Sequence, residues 1–204
     1  MLNKFRPALL ILAIGAVAFS LGYVVFPHSE DIPGDIHGSA AAGNVSLDPS
    51  VSAPDFVVQT LDGADVSSDE YEGKIMVVDF WATWCGPCLT EIPHYNELHA
   101  DYADKGVEML GVTFQSGSAE QVADWIARPI KIGTMEFKLD YPIVMGNRDI
   151  EVSWGPVYGF PMTYLVDSNW KIRKKWMGAI PSKTAQLRVL IDQLLEEQAE
   201  REAN

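Results

Sequence analysis

Residues Lys74 to Trp81 (KIMVVDFW) run without a break into Ala82-Thr83-Trp84-Cys85-Gly86-Pro87-Cys88. A nearly continuous β-branched and aromatic run of this length suits a strand buried on both faces. Beyond it, Leu89, Ile92, Tyr95, Leu98 and Tyr102 recur at helical spacing through about Asp104. A buried strand therefore delivers the chain straight to a helix N-terminus, and the only two cysteines among 204 residues sit at that junction. Two cysteines cannot build a disulfide scaffold or a four-thiolate zinc or iron–sulfur site. Two intervening residues bring the sulfurs within bonding range across one turn, and Pro87 suits the first turn of a helix. Free N–H groups and the positive end of the helix dipole stabilise a thiolate on Cys85. Cys85 is thus expected to be the exposed nucleophile and Cys88 its sheltered partner. A static disulfide closing so small a loop would add little stability. A zinc site would need His94 and His99, which point to different sides of the helix, and heme attachment would need a histidine where Leu89 stands. Redox exchange is the reading these residues favour over a static bond or half of a metal site.

The first 26 residues carry two basic groups, Lys4 and Arg6, and no acid, and from Ala8 to Phe26 the chain is apolar or weakly polar. As a helix that run spans roughly 28 Å, about one hydrocarbon thickness. A cleaved signal has a shorter apolar core with a small-x-small site close behind it. Here the first Ala-x-Ala, Ala40 to Ala42, lies well downstream. Residues 1–26 therefore read as an uncleaved signal anchor, one transmembrane helix, with a cleaved signal as the alternative. Lys4 and Arg6 stay in the cytoplasm and Glu30, Asp31 and Asp35 follow the other end, so the bulk of the chain faces outward. Residues 27–52, rich in Pro, Gly, Ser and Ala, read as a flexible linker. A net charge of −13 argues against nucleic acid, which needs clustered Lys and Arg, and reads as a solvated face.

The remainder, residues 53–204, alternates strands and helices. Val107–Phe114 is a second buried strand, Ser118–Ala127 a capped helix and Pro142–Met145 a short third strand. Met162–Asp167 and Trp170–Met177 flank the turn-prone pair Ser168-Asn169 as a hairpin. Ser182–Glu197 carries Leu187, Leu190, Ile191, Leu194 and Leu195 at helical spacing, a core stripe. The order β-α-β-α-β, hairpin, helix defines an α/β domain whose mixed sheet has a parallel core and an antiparallel hairpin.

Val78 to Cys88 (VDFWATWCGPC) resembles the thioredoxin active-site strand and turn. With Glu91-x-Pro93, Ala53-Pro54-Asp55-Phe56 and the membrane segment, the chain resembles the TlpA/ResA branch of membrane-anchored extracytoplasmic thiol-disulfide oxidoreductases. The likeness implies a thioredoxin-like fold in which Ser118–Met145 supplies an inserted helix and strand. It makes Asp79 the buried acid beside Cys88, accepting its proton as Cys88 becomes the attacking thiolate. It makes Phe160-Pro161 a cis peptide against the disulfide, with the Phe160 backbone open to an extended client. Trp84, Gly86, Pro87, Gly178 and Ala179 complete the expected docking rim. Val107–Phe114 contains no lysine, so the cation that thioredoxins place beside the buried acid has no counterpart there. Gly155 to Pro161 (GPVYGFP) resembles the approach to the cis-proline in cytochrome c maturation members. Those members have an acid where Met162 stands, and some relatives have one inside the motif where Gly86 stands.

The leading expectation is a protein-disulfide reductase on a bacterial cytoplasmic membrane, single-pass, with its catalytic domain on the extracytoplasmic (periplasmic) side. The redox-active cysteine pair stands in place of a cofactor, and no metal is expected. Gly-Pro between the cysteines is the thioredoxin dipeptide, which points to a potential near thioredoxin's roughly −270 mV. The resemblance implies protein thiol and disulfide clients, apocytochrome c among them, and a transmembrane electron donor. Two alternatives come from other chemistry. A copper chaperone for oxidase assembly would want a histidine near the active face, and a thiol peroxidase would want Pro-x-x-x-Thr-x-x-Cys. Here Thr83 precedes Cys85 by two and no proline precedes it.

Overall fold

The computed structural model describes residues 47–155 and 157–203. The expected membrane segment, residues 1–26, and most of the linker lie outside the described residues. Among those described, no helix is long and apolar enough to cross a membrane.

Strands β1 (Val51–Ser52), β2 (Val57–Thr60) and β3 (Asp65–Ser67) precede β4 (Ile75–Trp81), which runs into helix α1 (Gly86–Tyr102). Then follow β5 (Val107–Thr113), α2 (Ala119–Ile126), β6 (Ile130–Ile132), β7 (Met135–Phe137), β8 (Ile143–Met145) and α3 (Arg148–Ser153). The hairpin β9 (Met162–Val166) and β10 (Lys171–Met177) leads to the last helix, α4 (Lys183–Glu202). Eight strands form one sheet in the order β1-β10-β9-β4-β5-β8-β2-β3. Strands β4, β5 and β8 are parallel and the remaining pairings antiparallel, as the sequence pattern implied.

Every residue of β4 is buried, and its side chains alternate between two cores. Ile75, Val77 and Trp81 pack with α1 and α4 through Ile92, Tyr95, Leu98, Leu187, Leu190 and Ile191. Met76, Val78 and Phe80 pack on the opposite face with Phe56, Ile150 and Trp154. The 3.6-residue stripes read from the sequence are the faces that α1 and α4 bury. Arg173 on β10 pins α4 to the hairpin, its Nη1 lying 2.9 Å from Asp167 and 3.0 Å from Glu197.

Three differences from the sequence reading have physical causes. The folded unit begins upstream of Ala53: Val51 and Ser52 pair with Ile172 and Lys171, and the Asp48 backbone N–H donates to the Arg173 carbonyl at 2.7 Å. The stretch assigned to the linker thus closes one edge of the sheet with its last residues. Between β5 and β9 the expected helix and strand are α2 and β8, but a two-stranded sheet, β6 with β7, stands between them. Strands of three residues show too little alternation to announce themselves. Helix α3, six residues long, is held by Asn147, whose side chain accepts the Ile150 N–H at 3.0 Å. One short turn has no periodicity to detect.

Gly111 of β5 lies opposite Asp79 in the ladder, and a Cβ there would come within 2.9 Å of Tyr141 Cε2 and 3.1 Å of Trp81 Nε1. We expect Gly111→Ala to lower unfolding free energy by about 1–3 kcal/mol in urea titrations, the usual cost of overpacking. Gly159→Ala, where a Cβ would meet nothing within 4 Å, should be close to neutral.

Candidate active site

The motif turn is fixed from both sides. Cys85 is the N-cap of α1: its N–H donates to the Ala82 carbonyl, and its Sγ accepts the Cys88 N–H at 3.2 Å. Pro87 occupies the first turn, where no N–H is needed. The Thr83 N–H donates to Ser116 Oγ at 3.0 Å, and Trp84 Nε1 donates to the Gln115 carbonyl at 2.8 Å. These bonds tie the turn to the loop after β5. Cys85 and Cys88 are joined as a disulfide with Cα atoms 5.3 Å apart.

Cys85 was expected to be exposed, but in this disulfide it is 5% exposed against 2% for Cys88. With its sulfur engaged, Cys85 packs into the same apolar cluster as Ala82 and Ile92. The order of accessibility holds, and the size of the difference does not.

The expected rim residues gather at this end of the sheet. The Phe160–Pro161 peptide is cis, and the Gly178 N–H donates to the Pro161 carbonyl at 2.8 Å. Ladder pairing in β9 begins at Met162, so the Phe160 peptide lies beyond it. Trp84 is 61% exposed and meets Phe160 edge-on with ring centroids 5.9 Å apart. Gly86, Pro87 and Ala179 are exposed and Gly178 is half-buried. Tyr158, 81% exposed in the loop before Pro161, is a further apolar surface that the motif reading did not single out.

Asp79 shares the face of β4 that carries Ile75, Val77 and Trp81, the face covered by α1 and the two cysteines. It is almost wholly buried, and four polar side chains to which the sequence reading gave no part in the chemistry surround it. Thr163 on β9 donates its hydroxyl to Asp79 Oδ1 at 3.0 Å. Lys183, at the start of α4, is 1% exposed and donates to Thr163 Oγ1 at 3.1 Å. Its ammonium also lies 2.9 Å from both carboxylate oxygens of Glu91 on α1. Tyr95 OH stands 3.0 Å from Thr163 Oγ1 and 3.4 Å from Glu91. Burial pushes the Asp79 carboxyl up to about 7; Lys183 opposes the rise, Glu91 adds to it, and the Thr163 hydrogen bond opposes it. Burial likewise raises Glu91, against the pull of Lys183. The cation absent from β5 is supplied by α4.

A signal for these groups exists in the pattern. Lys183 precedes Leu187, Leu190, Ile191 and Leu194 at intervals of 4, 7, 8 and 11, and Glu91 follows Cys88 by three on α1. Each ionisable residue sits on the apolar stripe of its own helix. His94 points outward, 3.9 Å from Glu97. Among the described residues no cluster of three His, Cys, Asp or Glu could hold a metal ion.

A disulfide capping a helix at the end of a mixed sheet, with an acid buried behind it, equips a thioredoxin-fold protein for thiol–disulfide exchange. The chain belongs to the AhpC/TSA family, whose model matches residues 49–175, and to its ResA/TlpA-like thioredoxin-fold group. It is 36% identical over 129 residues to the thiol-disulfide oxidoreductase ResA of Geobacillus thermodenitrificans, covering 63% of this chain and 69% of that one. It is 28% identical over 174 residues to ResA of Bacillus cereus, covering 85% and 87%. Among solved structures, a Chlorobium tepidum protein described as a thiol:disulfide interchange protein DsbE superposes with a TM-score of 0.61 at 26% identity, covering 74% of this chain and 99% of that one. The protein is a thiol–disulfide oxidoreductase.

The raised Asp79 carboxyl has a consequence for stability. The unfolded chain releases this proton near 3.8 and the folded protein near 7, so between them the folded state binds more protons and stability falls as pH rises. Asp79→Asn removes that loss. Its stability relative to the parent should therefore grow from pH 4 to pH 7, by kcal/mol amounts, and level off above. Urea unfolding of the oxidised protein at several pH values measures the difference, and a constant difference would show that Asp79 does not titrate in this window.

Proposed function

We propose that this protein is a membrane-tethered reductant of protein disulfides outside the cytoplasm. The observation that carries the reading is the Cys85–Cys88 disulfide at the mouth of α1, with Asp79 buried on the same face of the sheet. The catalytic residues are Cys85, Cys88 and Asp79.

In the reduced protein the Cys85 thiolate, stabilised by the N–H groups of the α1 terminus, attacks one sulfur of a client disulfide. The client's other sulfur leaves as a thiolate, and a mixed disulfide joins Cys85 to the client. Asp79 takes the proton of Cys88, whose thiolate attacks Cys85 Sγ and expels the client's second thiolate. Two electrons have passed to the client, and the Cys85–Cys88 bond has formed. A buried acid that titrates near neutrality suits this second step, because it can both accept and return the proton at working pH.

The client lies across an uncharged platform of Trp84, Gly86, Pro87, Phe160, Pro161, Gly178 and Ala179. An extended segment pairs with the peptide preceding Pro161, which lies beyond the sheet ladder. Re-reduction requires a dithiol donor in the membrane, and residues 1–26 hold the protein beside it on the extracytoplasmic face. Cysteine pairs of apocytochrome c are the first clients to examine, on the likeness of Gly155 to Pro161. No observation favours copper transfer or peroxide reduction.

Trapping tests this reading. Cys88→Ser should retain the first attack and accumulate covalent client adducts in membranes, and Cys85→Ser should accumulate none. Asp79→Asn should form the adduct but resolve it about 10²–10⁴-fold more slowly near pH 7, the usual worth of a direct base. Non-reducing electrophoresis and mass spectrometry identify the adducts. Adducts formed by Cys85→Ser but not by Cys88→Ser would reverse the assignment of nucleophile and resolver.

A further inference from the structure

Thr163 Oγ1 has three polar neighbours, Asp79 at 3.0 Å, Lys183 at 3.1 Å and Tyr95 at 3.0 Å, and only one proton to give. Lys183 can only donate. When Asp79 is ionised, Thr163 therefore gives its proton to Asp79 and accepts from Lys183 and Tyr95. When Asp79 is protonated that arrangement is no longer needed. Thr163 can then turn its proton toward Tyr95, which passes its own to Glu91. The Lys183 ammonium donates to Thr163 in both arrangements and favours the first through its charge, which stands no more than about 6 Å from Asp79 through that hydroxyl and stabilises the ionised carboxylate that takes the Thr163 proton. Glu91 opposes it by holding the ammonium on its own side.

We infer that Lys183 is a positioning residue of the exchange reaction: set between Glu91 and Thr163, it orients the Thr163 hydroxyl toward Asp79 and so governs how readily Asp79 takes the proton of Cys88. The inference rests on the reading of Asp79 as the proton acceptor. The groups facing Asp79 are few. Helix α1 presents Glu91, Tyr95 and the two cysteines, β9 presents Thr163, and α4 presents Lys183. The segment before β8 presents Tyr141, whose own ionisation is opposed by burial and by Asp79 and Glu91. Strand β5 presents Gly111, without a side chain. Lys183 is thus the one cation among the described groups here, and burial raises Asp79 while Lys183 is the largest influence opposing it.

Removing Lys183 alone would leave Glu91 buried without its partner, which threatens the fold. The test therefore compares Glu91→Gln with the charge-balanced pair Lys183→Met/Glu91→Gln in the full-length protein in detergent. Cys85 is first converted to its mixed disulfide with thionitrobenzoate. Attack by Cys88 on Cys85 Sγ forms the Cys85–Cys88 bond, breaks the bond to the probe and releases coloured thionitrobenzoate, so resolution is read directly from pH 5 to pH 9. In Glu91→Gln the ammonium is left to Thr163 and Asp79, and the pH midpoint of resolution should fall. In the double variant it should rise past that of the parent, the two variants differing by about one pH unit or more. Thermal melts confirm that each variant is folded. Thr163→Val, which removes the connecting hydroxyl, should also raise the midpoint.

A purely structural Lys183–Glu91 pair would change the melts and leave the midpoints together, and that result, or midpoints that move in the same direction, overturns the inference. The same variants in an Asp79→Asn background should share one profile. If Asp79→Asn alone resolves the adduct at the parental rate across the range, the reading of Asp79 fails and the inference with it. If Asp79→Asn is slow but the Glu91 and Lys183 variants keep the parental midpoint, the reading of Asp79 stands and only the role of Lys183 is lost.

Discussion

A carboxyl buried in the central strand of a sheet has to be answered by its surroundings, because an isolated charge there is too costly to keep. Asp79 occupies that position in β4, whose other residues are all apolar from Ile75 to Trp81. Its answer comes from three separate stretches of chain: Glu91 and Tyr95 on α1, Thr163 on β9 and Lys183 on α4. None of these elements holds the arrangement alone, so the site exists only when α1 and α4 are both packed on the same face of the sheet. A buried ion pair of this kind is weak evidence for stability, since desolvation offsets much of the attraction. Its position on the face of the sheet that carries the disulfide is the basis for the chemical role proposed for it.

On the proposed reading, the same face separates recognition from proton handling. The rim around Cys85 is made of aromatic, proline, glycine and alanine residues, while the ionisable groups lie beneath it. No residue of this rim is charged, so the net charge of −13 is carried by other residues. In the proposed function, an uncharged platform of this kind discriminates by shape and by backbone pairing, which would suit clients that present a cysteine pair in an extended segment. The aromatic row behind it continues inward, from Trp84 to Phe160, which stacks on Phe114, which in turn meets Phe80 edge-on. The proposed docking surface is thereby seated on the second core.

Much of this was legible in the sequence because the signals were local. The β4 run, the cysteine spacing, the stripes of α1 and α4 and the β9–β10 turn each depend on neighbours within about a dozen residues. What escaped was short or distant. Strands β6 and β7 have three residues each, and the Asp62-Gly63 turn between β2 and β3 was present without strong flanking alternation. Lys183 is more instructive. It is 104 positions from Asp79, and a lysine at a helix start ordinarily reads as a solvated charge, although its place on the apolar stripe of α4 marked it as buried. An ionisable residue in phase with a helix's leucines has to be assigned a partner before the site is complete.

The claim that this chemistry runs as reduction is tested most directly by redox titration of the full-length protein in detergent against a dithiol buffer at pH 7, following the Cys85 and Cys88 thiols by alkylation. The account predicts a single two-electron midpoint near thioredoxin's roughly −270 mV. A midpoint near about −120 mV, the range of strong oxidants, would contradict it and make the protein a donor of disulfides.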